Sequence, residues 1–513
     1  KQQKNNTVIN LEIKRLDNLL KKLKQLRTNA EEPFEHFDWQ LDFPEILNPY
    51  LKNKETRGFD IVIANPPYVD IKGLSKDDSK MLFEKFKTTS NRINLYSIFF
   101  EKGWELINKR GNLIYINPNS LLLNSSYKMI RKLLLPYIKM LIKLPDNIFE
   151  NAVVETMITQ ASKDNSSRKI KGAFYRNDEH INFSNLKFKE FPKKDWEKDL
   201  DNRFNIFVSP KSLSIIAEIE KLSDKSFFDY FEFSLGITPY DSYKGHSKNF
   251  IKSKGYHSST KKDNTYVPLI SGKNINKYFI DNTVEGYIKY GPWLGAPRQK
   301  KFFSHPRVIV RQIISGNPPS IYAGYTEEEL YHTQIGFSII SNNKITPKTL
   351  CALINSRLLN FYHTGKFLDP QKHTFQKILI ENCKQFPIPK KLTSITSIRE
   401  LDIIVDYVNH LRRQEFKNVK KQKVKQMFTF FEQIIDGLVY ELYLPKLLKN
   451  HKRQIISLLG ELTEFTESMT DYEKLNICNN AYEKLSSKDH ALRKNLNNLK
   501  VIPEIGLIEK EVG

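Results

Sequence analysis

The sequence has few cysteines and glycines and a deficit of acidic residues. Its three cysteines, Cys351, Cys383 and Cys478, lie far apart, which excludes a disulfide framework and a zinc-ligand spacing and fits a reducing cytoplasm. No stretch of about 18 apolar residues occurs, so no membrane-spanning helix is expected. No signal peptide is found either. Because the first residue is not Met, we expect the natural protein to begin upstream of Lys1.

The charge balance is strongly basic. Lysine and arginine total 81 residues against 58 aspartates and glutamates, a formal net charge of +23. A folded protein with this excess attracts polyanions, of which nucleic acid is the first candidate. A general bias toward lysine and asparagine is the alternative explanation.

The first third of the chain alternates apolar strand patterns with helical ones. "FDIVIA" (59–64), "GNLIYINP" (111–118) and "AVVETMITQ" (152–160) are short branched runs typical of buried strands, and "NLYSIFFEKGWELI" (94–107) is typical of a helix. This alternation predicts an α/β domain over 1–205 with much parallel pairing. The polar stretch "ASKDNSSRKIKG" (161–172) interrupts the pattern.

The rest of the chain divides into two further regions. Short segments rich in Gly, Pro, Asn and aromatic residues predict a loop-rich α+β domain over 206–390. From 391 to 513 the pattern is helical, amphipathic and charged. The basic helical segment at 411–445 is either a spacer that tracks phosphates or a simple packing helix.

The most informative motif is Asn-Pro-Pro-Tyr at residues 65–68, directly after "FDIVIA". Ligands in open α/β sheets bind beyond the carboxyl ends of strands, where this motif lies. The side-chain oxygen of Asn65 and the backbone oxygen of Pro66 can accept the two hydrogens of an exocyclic amine and free its lone pair. The prolines fix these acceptors in place, and the ring of Tyr68 offers a stacking face.

With this motif and its context, the chain resembles the N6-adenine DNA methyltransferases of single-chain type II restriction-modification enzymes, in which a recognition domain follows the catalytic domain. The segments "GNLIYINPNSLLLNSSYKMIRKLLL" and "IKLPDNIFENAVVETMITQ" are similar to later segments of that catalytic domain. The resemblance implies a Rossmann-like sheet, S-adenosylmethionine as cofactor, and a prokaryotic cytoplasm. Double-stranded DNA is the implied partner, with no membrane association.

The resemblance also implies roles for individual residues. Phe149 would form a second stacking surface for the flipped-out base, although it could equally be an ordinary core phenylalanine. In "LDFPEIL", Asp42 and Phe43 would contact the cofactor's adenine, or Asp42 could be a plain loop carboxylate. Pro67 would be a further cofactor contact. The Gly-rich cofactor motif, expected before residue 42, is not found, so the N-terminal part of the cofactor-binding sheet is missing and cofactor binding by these residues alone is in question.

Residues 206–390 resemble the target-recognition domain of the same enzymes. The stretches "GITPYDSYKG", "YVPLISGKNINKYFI" and "ALINSRLLNFYHTGK" carry this similarity, together with the basic segment at 287–313. Phosphate or base contacts are expected from five basic residues in that segment: Arg298, Lys300, Lys301, Arg307 and Arg311. The aromatic residues Tyr240, Tyr243 and Trp293 of the same domain are expected to lie among them. Each of these side chains could instead be a solvated charge or a packed ring.

Two other functions compete with DNA adenine methylation. The chain could be a DNA-binding specificity module that is inactive as this fragment, or an amino-methyltransferase acting on RNA or protein. No metal-ligand spacing and no nuclease motif is found. Because a nuclease usually precedes the methyltransferase in enzymes of this kind, one could lie upstream on the same polypeptide.

Overall fold

The computed structural model describes most of the chain. The described residues are 13, 14, 16–18, 20, 21, 37, 39–89, 94–146, 148, 149, 154–164, 166–176, 179–316, 318–342, 345–369, 376–393, 395–416 and 421–512. No helix within these ranges is long and apolar enough to cross a membrane.

The helices concentrate toward the end of the chain, and the strands occupy its first three quarters. The helices are α1 Trp39–Asp42, α2 Pro44–Leu47, α3 Lys76–Lys85, α4 Leu95–Leu106, α5 Ser120–Leu123, α6 Lys128–Leu134, α7 Lys193–Glu197, α8 Pro210–Lys221, α9 Lys248–Lys252, α10 Lys301–Ser304, α11 Pro347–Asn355, α12 Arg357–Phe367, α13 Ile380–Lys384, α14 Ile395–Phe416, α15 Lys421–Tyr443, α16 Pro445–Asn450, α17 Asp471–Leu485, α18 Ala491–Asn498 and α19 Pro503–Val512. The strands are β1 Phe59–Ala64, β2 Ile107–Pro118, β3 Ile138–Lys143, β4 Thr156–Ser162, β5 Lys169–Phe174, β6 Lys189–Pro192, β7 Ser223–Ser226, β8 Phe231–Leu235, β9 His257–Ser258, β10 Tyr266–Ile270, β11 Tyr278–Phe279, β12 Gly286–Lys289, β13 Arg307–Arg311, β14 Ala323–Thr326, β15 Tyr331–His332, β16 Gly336–Ser341 and β17 Pro387–Pro389.

The first region forms a six-stranded sheet in the order β1-β2-β4-β3-β5-β6. The β1–β2 and β3–β5 pairs are parallel, and the other three pairs are antiparallel. The predicted α/β class is confirmed, with less parallel pairing than expected because β4 runs against both of its neighbours. Strand β5 lies partly inside the polar stretch that interrupted the sequence pattern.

Strand β1 lies at the edge of this sheet, and its two faces differ. Val62 and Ala64 pack with Leu113 and Tyr115 of β2 against a core lined by α4 and α6. On the opposite face Ile61 and Ile63 are 61% and 74% exposed. Parallel strands normally bury both faces, so β1 presents an uncovered apolar strip in the described part of the chain.

The second region contains a five-stranded sheet, β11-β14-β13-β16-β8, and a four-stranded sheet, β15-β10-β12-β9. Helix α11 packs on the five-stranded sheet, α14 packs on α11, and α15 packs on α12 and α14. Val308 of β13, Ile354 of α11 and Ile435 of α15 belong to one continuous buried cluster. The region 206–390 and the helical region 391–513 therefore share a core, and the boundaries assigned from sequence remain a prediction.

The segment at 411–445, interpreted from sequence as either a phosphate-tracking spacer or a packing helix, contributes to this shared core. Its second half buries Phe431, Ile434 and Leu438 among the other helices. The segment is a packing helix there, as one of the two sequence-based interpretations held.

Candidate active site and nucleic-acid interface

Several strand ends meet at one edge of the six-stranded sheet. Ala64 pairs with Tyr115 in the parallel β1–β2 ladder, so residues 65–68 leave β1 where β2 approaches its own end. Strand β4 begins at this edge, since Thr156 pairs with Pro118, and β3 ends there, since Lys143 pairs with Met157. The loop between β3 and β4 therefore returns to the edge that carries the Asn-Pro-Pro-Tyr turn.

Local contacts hold this turn in place. The Tyr68 hydroxyl donates a hydrogen bond to the carbonyl of Ile116 at 3.2 Å. One residue later, the Leu95 amide donates to the carbonyl of Val69 at 2.8 Å, which ties the turn to the start of α4. Because the prolines fix φ at two positions, the turn is restrained both by its own sequence and by its neighbours.

The turn exposes some of its groups and buries others. Asn65 and Pro67 are exposed, whereas Pro66 is buried and Tyr68 is half-buried against the core beneath the sheet. Burial raises the pKa of Tyr68 to about 12, so its hydroxyl stays protonated and able to donate at neutral pH. The turn thus carries an exposed amide and a half-buried aromatic ring at the edge of the sheet.

Phe149 is half-buried in the loop that joins β3 to β4. The sheet register brings this loop to the edge that bears Asn65 and Tyr68. The position agrees with a second aromatic surface beside the turn, and the stacking role stays a prediction.

Asp42 and Phe43 lie elsewhere in this structure. The Phe43 ring contacts the ring of Phe59 with centroids 5.3 Å apart, and Phe59 is the first residue of β1. Six residues of extended chain separate Phe59 from Asn65, which corresponds to roughly 20 Å. Phe43 therefore lies near the amino end of β1, and the predicted contact of Asp42 and Phe43 with the cofactor's adenine stays a prediction.

Sequence reasoning missed a polar cluster beyond the end of β2. The Asn119 side-chain amide donates to Glu155 at 2.7 Å and to Asp369 at 3.2 Å. These residues line a cleft of about 430 Å³ between the sheet edge and the α12 region, with Phe367 on its far wall. The "NPNS" sequence at 117–120 was the available signal, since polar residues directly after a buried strand often line a site.

The five basic residues predicted to contact DNA differ in their exposure and in whether they already form ion pairs. Arg298 is exposed and adopts a positive φ of 62°, and no ion pair of its guanidinium is found within the described ranges. Lys300 and Lys301 reach the surface but pair with Glu329 at 3.2 Å and with Glu232 at 2.6 Å. DNA phosphates would have to displace these carboxylates.

Arg307 is held inside the protein, and Arg311 is half-buried. Arg307 is fully buried in β13, and its guanidinium donates to the carbonyls of His305, Glu328 and Leu330. Burial lowers its pKa to about 10, which leaves it charged at neutral pH. Arg311 stacks on the Tyr322 ring at 4.2 Å. The geometry of Arg307 departs from the predicted DNA contact, because the side chain is fully buried and its two terminal nitrogens donate to backbone carbonyls.

Among the residues that the structure describes, no group of three or more His, Cys, Asp or Glu side chains could hold a metal ion. The cysteines are all buried and unpaired.

Comparison with known proteins finds family matches in two parts of the chain. Residues 2–149 match the family described as Eco57I restriction-modification methylase, and residues 267–388 match the TaqI-like C-terminal specificity domain. A type II restriction enzyme and methyltransferase of Methanocaldococcus jannaschii is 23% identical over 483 residues, which cover 91% of this chain and 38% of that protein. A type II methyltransferase of Acinetobacter calcoaceticus is 28% identical over 152 residues, covering 28% of this chain and 27% of that protein.

The chain thus spans less than half the length of these curated relatives. Among solved structures, the type IIL restriction-modification enzyme MmeI in complex with DNA is similar, with 11% identity and a TM-score of 0.47. That similarity covers 83% of this chain and 57% of the MmeI chain.

Proposed function

The chain joins a restriction-modification methylase region to a TaqI-like specificity region, and we propose that it acts as a site-specific DNA methyltransferase that modifies the N6 amine of adenine. The observation that carries this proposal is the braced Asn-Pro-Pro-Tyr turn at the sheet edge where β1, β2, β3 and β4 meet. The specificity region and the net charge of +23 support double-stranded DNA as the substrate.

The turn would activate the amine by accepting its hydrogens. An adenine amine is a poor nucleophile because its lone pair is delocalised into the ring. The Asn65 side-chain oxygen and the Pro66 carbonyl would each accept one hydrogen, which favours a tetrahedral nitrogen. The restraints on the turn mean that little reorganisation is needed as the reaction proceeds.

Tyr68 and Phe149 would hold the flipped-out base. Extrusion from the duplex costs a few kcal/mol in lost stacking and pairing. The Tyr68 ring, fixed by its hydrogen bond to Ile116, offers a preformed face that offsets part of this cost. Phe149, on the neighbouring loop, would supply the second face.

The methyl donor of this proposal is S-adenosylmethionine, but the described residues do not form a complete site for it. Pro67 is exposed beside Asn65 and remains a candidate contact. Asp42 and Phe43 lie at the other end of β1, and the sequence contains no Gly-rich strand-loop. We therefore expect these 513 residues alone to bind S-adenosylmethionine weakly, which calorimetry would check.

The decisive experiment uses the natural protein that contains this sequence. Its methylation of DNA is mapped base by base in cells, and transfer of labelled methyl groups is measured in vitro. Asn65→Ala should reduce transfer by about two orders of magnitude or more, while Asn185→Ala, at an exposed asparagine outside the site, should not. Methylation on cytosine, or wild-type transfer by Asn65→Ala, would contradict the proposal.

A DNA-binding specificity module without catalysis is the second candidate, favoured by the separation of Asp42 and Phe43 from the turn. It predicts sequence-specific DNA binding with no methyl transfer by the natural protein. An RNA or protein amino-methyltransferase is less well supported, because residues 267–388 match the TaqI-like C-terminal specificity domain. The related Methanocaldococcus jannaschii protein is described as both restriction enzyme and methyltransferase, so we place a nuclease upstream on the same polypeptide.

A further inference from the structure

One aromatic side chain of the recognition region points away from the protein. Tyr243 is 99% exposed on the short turn Ser242–Lys244, between β8 and α9. The other two aromatic residues expected on the DNA face are engaged internally. Tyr240 stacks on Tyr256 with ring centroids 5.6 Å apart, and the Trp293 indole donates to the carbonyl of Lys289 at 3.1 Å.

The turn that carries Tyr243 is rigidly braced. The Tyr243 amide donates to the Asp241 carboxylate at 2.9 Å, and Gly245 closes the turn with a φ of 83°. The Asp241 amide donates to Nδ1 of His246 at 2.9 Å, so the other ring nitrogen, Nε2, carries the proton and donates to the carbonyl of Trp293 at 2.9 Å. Binding would therefore have to order the Tyr243 side chain but not the backbone that carries it.

The same turn lies directly beside the loop that carries Arg298. Thr238 and Ala296 exchange two backbone hydrogen bonds at 2.9 Å, one in each direction. The Tyr290 hydroxyl donates to the carbonyl of Arg298 at 2.9 Å. The segments that lead to Tyr243 and to Arg298 are therefore joined at Thr238 and Ala296, and each carries an exposed side chain that can bind nucleic acid.

The surroundings of Tyr243 are basic. Four exposed lysines follow within the next eleven residues, and no ion pair of their ammonium groups is found in the described ranges: Lys244, Lys248, Lys252 and Lys254. From 242 to 254 the sequence contains no acidic residue. A ring set among unpaired cations fits a nucleic acid, which offers phosphates and base faces together, better than it fits a protein surface.

We propose that Tyr243 is a DNA-contacting residue that places its ring against the bases or between two base steps, while the lysines around it bind the flanking phosphates. Aromatic and apolar side chains inserted in this way partly unstack a step and widen the contact between protein and DNA. The inference rests on the proposed action on DNA and adds a contact distinct from the Asn-Pro-Pro-Tyr turn.

The test measures binding of a fluorescein-labelled duplex of random sequence by anisotropy at several salt concentrations. Tyr243→Ala should weaken binding about tenfold without changing the slope of log affinity against log salt, because no phosphate contact is lost. Tyr243→Phe should bind like the wild type. Lys244→Gln combined with Lys248→Gln should lower the salt slope instead.

Tyr472→Ala is the matched control, since Tyr472 is 71% exposed in α17, outside this surface. Unchanged affinity of Tyr243→Ala would overturn the inference while leaving the proposed function intact, as would an equal loss in the Tyr472→Ala control. Failure of the wild type to bind DNA at all would contradict the proposed function as well. Circular dichroism of each variant confirms that the exposed substitutions leave the fold unchanged.

Discussion

Lys366 of α12 forms a buried ion pair with Asp199, and the Nζ and Oδ2 atoms lie 3.4 Å apart. The pair joins the region of the six-stranded sheet to the recognition region at 206–390. Lys366 is 8% and Asp199 13% exposed, and Glu220 of α8 also pairs with the lysine. Burial acts to raise the pKa of Asp199, but the opposing charges of Arg203 and Lys366 leave it below its usual value. The two regions are therefore joined by charges as well as by apolar contact.

Lys366→Met should loosen this junction. It leaves Glu220 without its cation and Asp199 with Arg203 alone, and breaking a buried pair from one side costs about 3 kcal/mol. We expect a lower urea midpoint and faster hydrogen exchange in α12. The control Lys169→Met removes a pair with Glu190 whose members are 62% and 53% exposed, and it should change stability by less than about 1 kcal/mol. Equal effects of the two variants would refute the importance of the junction.

The hydroxyl and the ring of Tyr68 should have separate effects, the hydroxyl on methyl transfer and the ring on base flipping. Tyr68→Phe loses the hydrogen bond to Ile116, worth about 1 kcal/mol, and should reduce methyl transfer several-fold by relaxing the turn. Tyr68→Ala also loses a stacking surface worth roughly 1–3 kcal/mol. It should therefore weaken base flipping, seen as a smaller fluorescence rise from 2-aminopurine at the target. Identical flipping signals from the two variants would show that the ring does not stack on the base.

Arg298 and Arg307 should respond to substitution in opposite ways. Arg298→Gln with Lys300→Gln removes two exposed cations, so the slope of log affinity against log salt should fall by about 1.8. Arg307→Gln removes the buried donors to three carbonyls and should instead lower the thermal midpoint. A salt slope altered by Arg307→Gln in a protein of unchanged stability would reverse this assignment.

His363 should make the stability of the protein sensitive to mild acid. Burial lowers its pKa to about 3, and its Nε2 has no hydrogen-bond partner among the described residues. The unfolded chain, with an ordinary histidine pKa near 6.5, binds more protons between these two values. Stability should therefore fall by about 1.4 kcal/mol per pH unit as pH drops below about 6.5.

His363→Phe should reduce this slope, measured by urea unfolding at a series of pH values. Phe367 and Phe386 already surround the ring, so an aromatic replacement can be packed there. His305→Phe, at an exposed histidine, serves as the control and should leave the slope unchanged. His332 contributes a similar dependence, since burial lowers its pKa to about 4, so some slope persists in the His363 variant.

The sequence predicted those parts of the fold that depend on local pattern. Strands β1 and β2 appear where apolar runs were found, because branched apolar residues favour an extended backbone over a few positions. Strand β5 was missed because its apolar residues alternate with Lys169 and Lys171, which are exposed. The antiparallel direction of β4 was missed because side-chain periodicity carries no information about strand direction.

In the candidate site too, features set by local sequence were predicted and features set by tertiary contacts were not. Asn65 and Tyr68 were predicted because their motif is contiguous and its position after a strand follows from the apolar run. The hydrogen-bond partners of Arg307 were not predicted, because two of its three acceptors lie more than twenty residues further along the chain, on the loop at 328–330. The position of Asp42 and Phe43 depends on a packing contact with Phe59, which no linear spacing specifies.

The continuous core shared by the sheet around β13 and the helices after residue 391 determines where this protein can be cut and recombined. An exchange of target specificity between related enzymes that ends at 390 would separate Val308 and Ile354 from Ile404 and Ile435 and expose their apolar faces to water. A junction placed between Phe207 and α8 would be different. Phe207 is the last residue of the buried cluster around the six-stranded sheet, and the buried cluster of the recognition region begins in α8. The transferable unit is therefore the whole stretch from about 208 to 512, joined to a chain that keeps an acidic residue at the position of Asp199 to pair with Lys366.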